Sequence, residues 1–465
     1  MRGILLSLII AASLPVILVS PYVGVLVFSW VSYMNPHRLT WGFASGIPWT
    51  MIVGVLTFAA WFFSRENKKP PMTTITVLTV IFVVWCGITT ALAYNKAPAL
   101  AYYIQYVKIM AMTFLTMILI QDQRRLNLLI WVIVVSIGFF GFRGGLFSLL
   151  TGGQFLVWGP PASFIADNNA LAVALIMVAP LVRYLQLRAT NRWIRLGLLA
   201  SLPCFLVSII TTYSRGAFLG LGVTMCYLAM KSRHRIRFGI LIAVVLVGSL
   251  SLMPDKFFQR MDTIETYDKD ASALSRLNAW YFAWNIAVAH PITGGGFDVF
   301  DYQPLWPRYA PNSTNVQAAH SIYFQVMETQ GFVGLFLFLT IFFLAYRANG
   351  WVVKRTKHRP DLQWLTDLGS MMQVGLVGFG AAGVFQNLAF FDLPWHFVAI
   401  SVIARLITQR ELAKPPPEAE AAPTRDGRQP RDPRRRFPPL PQPVPAGRAG
   451  HAAYNAATAR RLRRG

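Results

Sequence analysis

Ala319-His320-Ser321 is followed by nine residues of mixed character and then by Gly331-Phe332-Val333-Gly334, at the entrance to a long apolar run. Read as one continuous helix at about 100° per residue, Gly331 falls about 20° from His320 and Gly334 about 40° to the other side. One stripe then carries an imidazole above two notches. An imidazole with an ordinary pKa of about 6.5 is the natural base near neutral pH. The glycines have a packing role, letting a neighbouring helix approach. The competing reading of His320 is a packing or hydrogen-bonding residue at a helix start, which is the commoner use of a lone histidine.

Anion chemistry rests on arginines. Arg215 stands in Tyr213-Ser214-Arg215-Gly216 between two apolar runs, and Arg276 in Ser275-Arg276-Leu277-Asn278-Ala279-Trp280. Arg276 and Trp280 are one helical turn apart and share a face. Two guanidinium groups at one membrane surface suit a diphosphate, because planar forks bind phosphate oxygens bidentately and keep their charge. Snorkelling to lipid is the alternative for Arg215, and a loop ion pair with Asp262, Glu265, Asp268 or Asp270 is the alternative for Arg276.

Lys108, Arg143 and Glu328 are ionisable residues inside apolar runs, where charges usually face a bundle interior or cavity. Lys108 and Glu328 are candidates to pair with one another. Arg143, before Gly144-Gly145, is a further candidate for the anion site or a snorkelling residue. Asp268-Lys269-Asp270 has an Asp-x-Asp form known from metal-using glycosyltransferases, at a spacing common by chance. Gly294-Gly295-Gly296 reads as a tight turn, with backbone amides that an anion could also use.

The elements that must position these groups are membrane helices. The 465 residues are 55% hydrophobic and 13% charged, with mean hydropathy +0.46. That composition indicates an all-α polytopic membrane protein. The net charge of +24 does not point to nucleic acid. The basic residues cluster between apolar runs at Arg65–Lys69, Arg124-Arg125, Arg183–Arg195, Lys231–Arg235 and Arg347–Arg359, as cytoplasmic loops do. Residues 95–99, 151–168 and 254–320 then face outward. The expected organisation is a membrane domain over 1–410 with about twelve spans, including a run at 237–253, and a long outer loop at 254–320 with short helices. For the start, Pro15 and Pro21 favour an inward N-terminus and a re-entrant or interfacial piece at 22–35. Residues 411–465 hold twelve Lys and Arg against five Asp and Glu and read as a disordered basic cytoplasmic tail, whose charge either holds it against anionic lipid or only enforces topology. Cys86, Cys204 and Cys226 all fall in apolar runs and read as small buried hydrophobes; no metal site is expected.

His320-Ser321, nine residues and Gly331-x-x-Gly334 resemble the signature of bacterial O-antigen ligases and protein O-oligosaccharyltransferases. Ser32-Tyr33-Met34-Asn35-Pro36-His37-Arg38-Leu39 and residues 159–172 resemble the exosortase-associated putative O-glycosylation ligases within that group. The resemblance covers residues 1–410. It implies a GT-C-like glycosyltransferase in the bacterial inner membrane, with a periplasmic site that transfers a glycan from undecaprenyl diphosphate to an acceptor hydroxyl. The acceptor is lipid A core, a protein or a polysaccharide. It further implies that His320 acts at the acceptor, and that Arg215 and Arg276 hold the diphosphate without metal or cofactor. Arg143 is a further diphosphate candidate, with Trp280, Ser321, Glu328 and Lys108 in support. A direct displacement of the diphosphate would invert the anomeric centre. Two other readings stay open: a polymerase using the same donor, and a transporter of lipid-linked glycan or anion. The 66-residue outer segment 254–319 and the lack of inverted repeats speak against the transporter.

Overall fold

The computed structural model of the chain describes residues 2–231, 271–311, 313 and 316–414. The expected span at 237–253, Asp262, Glu265 and Asp268-Lys269-Asp270 lie outside the described residues, as does nearly all of the tail. The described residues form helices joined by turns, with no strand. Among the described residues, eight helices are long and apolar enough to cross a membrane, as a polytopic membrane protein requires. Backbone groups inside hydrocarbon have no water to bond, so these apolar runs close their hydrogen bonds within each segment.

In chain order the helices are α1 (Arg2–Val19), α2 (Pro21–Met34), α3 (Trp49–Phe63), α4 (Thr74–Ala91), α5 (Lys96–Leu119), α6 (Gln123–Leu150) and α7 (Asn168–Arg188). There follow α8 (Arg192–Ile210), α9 (Arg215–Lys231), α10 (Ala271–Ala289), α11 (Ile322–Thr356), α12 (Gln363–Ala382) and α13 (Asp392–Leu412). Side-chain caps fix several starts. Asp122 accepts the Arg125 amide at 2.8 Å, and Asp167 accepts the amides of Asn169 and Ala170 at 2.9 and 3.0 Å. Each satisfies donors that a helix start leaves free. Helix α7 is the central pillar: 83% of its span is buried, with α6, α8, α9 and α12 packed around it. Gly141 of α6 and Gly375 and Gly378 of α12 let their backbones close on Leu175, Met177 and Ile176, the small-residue packing expected without a hydrophobic drive between helices.

The two ends of the bundle differ. Four of the basic clusters meet at one end, where Arg125 pairs with Glu66 at 2.8 Å and Arg410 reaches the Gln121 carbonyl at 3.3 Å. The other end carries His320. Asn35, just after α2, donates to the carbonyls of Pro161 and Ala162 at this second end.

Three expectations need correction. First, α1 and α2 are not one anchor plus a re-entrant piece. They fold back on each other at Ser20-Pro21, so Gly3 rests against Ala44 and Trp41, at the His320 end. Pro15 sits inside α1 without ending it, as prolines do in membrane helices where neighbours re-satisfy the backbone. Second, of the cysteines only Cys86 is buried; Cys204 is half-buried and Cys226 exposed. Third, His320, Gly331 and Gly334 do not share one continuous helix. His320 precedes α11, and Gly331 breaks it with φ 67° and ψ −174°.

The break is built rather than accidental. Carbonyls freed at Glu328 and Thr329 accept the amides of Gly295 and Gly296 at 2.8 and 3.1 Å, and that of Gln330 accepts the Trp85 indole at 3.0 Å. Phe332, whose amide the break also frees, donates to Pro291 at 2.9 Å. The Gly294–Gly296 turn therefore clasps a helix end, and its Gly295 and Gly296 amides are not offered to an anion. A Cβ on Gly331 would collide with the Ile292 carbonyl in a backbone region that L-residues avoid. Gly331→Ala should thus lower stability by about 2 kcal/mol or more, whereas Gly222→Ala, with open space around its Cβ, should leave the melting temperature unchanged. Equal melting temperatures for the two purified variants would show that the clasp carries no stability.

Candidate active site

His320 has φ 45°, a left-handed conformation uncommon for histidine. Such strain persists only where the surroundings impose it, and it gathers at functional sites. The surroundings are visible on both sides. The Trp280 indole donates to the Ala319 carbonyl at 2.6 Å, and the Ser321 amide donates to Asn387 Oδ1 at 3.1 Å. Trp280 also stacks on Phe324 with ring centres 5.1 Å apart. The backbone at 320 is thus pinned from α10 and from the α12–α13 connection.

The imidazole is pinned as well. Gln386 hydrogen-bonds His320 and donates through Nε2 to both oxygens of Asp167 at 3.2 Å. The Gln386 amide nitrogen being engaged, its oxygen is left to accept from one ring N–H, so the other ring nitrogen keeps its lone pair. Asp167 is held in turn by the two amides at the start of α7. Burial and the nearby Arg276 guanidinium push the His320 pKa below its ordinary value, while Asp167 and the Gln386 bond pull the other way. The net shift is downward, so the ring is neutral at neutral pH and able to take a proton.

Arg276 therefore lies within electrostatic reach of His320. It is half-buried on α10, and Trp280 one turn further on faces the same 319–324 segment, as their spacing predicts. Arg215 opens α9. It follows Tyr213, itself left-handed at φ 52°, and Ser214, whose hydroxyl accepts the Ala217 amide at 3.2 Å. Gly216 is pressed against Phe385, the neighbour of Gln386, and Asn168, beside Asp167, donates to the Thr212 carbonyl at 2.7 Å. The start of α9 is thus stitched to the elements that hold His320.

The other sequence candidates fall differently. The Ser321 hydroxyl is buried without a hydrogen-bond partner, beside His320 in the chain. Glu328 is buried with neither carboxylate oxygen hydrogen-bonded, and Lys108 is exposed; the two do not pair. Arg143 is exposed on α6, and the Gly144-Gly145 surface beside it closes on Val157, Ser208 and Cys204. None of the contacts around His320 involves Arg143 or Lys108. Asp167, Gln386 and Asn387 are the polar groups the sequence reading missed. Asp167 had a signal, the helix-start pattern Asp-Asn-Asn-Ala before an apolar run.

Residues 1–190 match the model of a family of unknown function (DUF5935). No curated protein matches the chain. Residues 196–339, which hold Arg215, Arg276 and His320, match the model described as O-Antigen ligase, and this match supports the O-antigen ligase family for the chain.

Proposed function

We propose that the protein is a glycosyltransferase of the ligase type, which moves a glycan from undecaprenyl diphosphate to an acceptor hydroxyl. Its setting is the bacterial inner membrane, in a GT-C-like bundle of about twelve spans. The site faces the periplasm and the basic tail the cytoplasm. The observation that carries this reading is the His320 imidazole, held by the Gln386–Asp167 pair, with the Arg276 guanidinium nearby.

The chemistry follows from those positions. The acceptor O–H gives its proton to the free nitrogen of His320 as its oxygen attacks the anomeric carbon. The bond from that carbon to the diphosphate oxygen breaks, and the electron pair leaves with undecaprenyl diphosphate. Arg276 and Arg215 stabilise the charge that gathers there. Attack opposite the leaving group inverts the anomeric centre. Asp167 favours the imidazolium that forms, through Gln386, and lets the ring return the proton to water.

The lipid-linked donor and an acceptor are the partners; lipid A core, a protein or a polysaccharide would each present a suitable hydroxyl. The test is transfer by purified protein in nanodiscs, with a lipid-linked glycan and each acceptor in turn. Transfer with inverted anomeric configuration is expected, and EDTA should not reduce it. Loss of transfer in EDTA with recovery on adding a divalent metal would overturn the metal-independent mechanism. The polymerase reading draws on the same donor site. A deletion strain decides between them: unligated long chains on the lipid carrier support the ligase, and single repeat units the polymerase.

A further inference from the structure

At the end of the bundle opposite His320, a cavity of about 210 Å³ opens between the segment after α3, the α5–α6 turn and α13. Its mouth is polar, with Asn67, Lys69, Gln121 and Arg410; its wall is apolar, with Met117 and Ile403 among the residues that form it. The volume falls below the roughly 300–1,000 Å³ typical of drug-sized ligands. It suits a phosphate and the carbons next to it better than a whole sugar or nucleotide.

Charge decides what fits. The carboxylates near this mouth are already engaged: Glu66 with Arg125 at 2.8 Å, Asp122 with Arg125 at 3.3 Å, and Glu411 with Lys414 at 2.6 Å. Among the described residues, Arg410 makes only long hydrogen bonds to Gln121, at 3.3 and 3.5 Å, which leave most of its fork to an incoming group. A guanidinium and an ammonium beside two amide side chains match phosphate oxygens. The apolar wall is formed largely by residues buried in the bundle, Met117, Ile120, Ile403 and Ile407, and matches the carbons next to a phosphate.

We propose that this cavity binds the phosphate headgroup of an anionic phospholipid. The lipid would tie the 67–71 segment and the α5–α6 turn to α13. This goes beyond the transfer reaction and does not depend on it.

The test uses full-length protein purified in detergent and stripped of lipid. Dioleoyl-phosphatidylglycerol, dioleoyl-phosphatidylcholine and inorganic phosphate are added separately, and bound molecules are counted by native mass spectrometry. One retained phosphatidylglycerol per chain is expected, at about tenfold higher affinity than phosphatidylcholine. The double variant K69Q/R410Q should lose that preference, and R65Q/K68Q, which alters neighbouring cations outside the lining, should keep it. Melting temperatures without lipid control for folding of both variants. Equal binding of the two lipids would overturn the proposal. So would an unchanged preference in K69Q/R410Q, a loss as large in R65Q/K68Q, or displacement of the lipid by millimolar inorganic phosphate.

Discussion

His320→Ala should reduce transfer by about 10²- to 10⁴-fold, the usual worth of a positioned general base, with the larger part of the loss in kcat. The prediction has a second arm that separates catalysis from structure. The left-handed backbone at 320 costs histidine free energy that glycine does not incur. His320→Gly should therefore lose transfer as completely as His320→Ala while melting no lower, or higher by the equivalent of about 1 kcal/mol after allowing for glycine's freer unfolded chain. A structural histidine would behave the opposite way, with melting temperature and activity falling together. The acid side of the pH–rate profile gives a third readout. Because burial and Arg276 hold the pKa below the ordinary value of 6.5, kcat/KM for the wild type should rise through a midpoint below pH 6.5 and be flat at neutral pH. Unchanged transfer in a well-folded His320→Ala protein sinks the base assignment.

Arg276→Ala should cost about 10²- to 10³-fold in kcat, the range for removing one group that stabilises transition-state charge. Arg276→Lys should recover part of it, since charge is kept but the planar fork is lost. The same substitution should leave a mark on His320. Arg276 lowers the imidazole pKa, so Arg276→Ala moves the acid midpoint up towards 6.5, and Arg276→Lys moves it less. A role confined to packing α10 would change the rate without moving the midpoint. Arg215→Ala should give a loss of similar size without that titration shift. If both arginines act on one diphosphate, the double variant should lose less than the product of the single losses. Strict multiplication would show that they serve separate ligands.

Much of this was legible in the sequence, and the misses have physical reasons. Apolar run lengths found the described helices, and four of the five basic clusters do meet at one end of the bundle. Sequence spacing also put Arg276 and Trp280 on one face. It failed at Gly331, because a helical wheel assumes unbroken helix and glycine is the residue that most readily leaves it. It failed for Lys108 and Glu328, because a charge in an apolar run does not say which way it faces. Gln386 and Asp167 are 219 positions apart, and no local pattern joins them. The polar pair Gln386-Asn387 was absorbed into an apolar run, where its position between α12 and α13 was the available signal.

Helix α7 is encased on every side yet ends at Arg188, just inside the segment that matches the family of unknown function. The O-antigen ligase match begins only at residue 196, and Gln386 lies beyond it. A gene cut between α7 and α8 would leave one fragment with its most apolar helix unclothed and the other with a hollow where that helix belongs. The two fragments should therefore be insoluble apart and recover only when produced together. A chimera that exchanges the first 190 residues for those of a relative would have to match α7 to its new neighbours before any question of substrate arises.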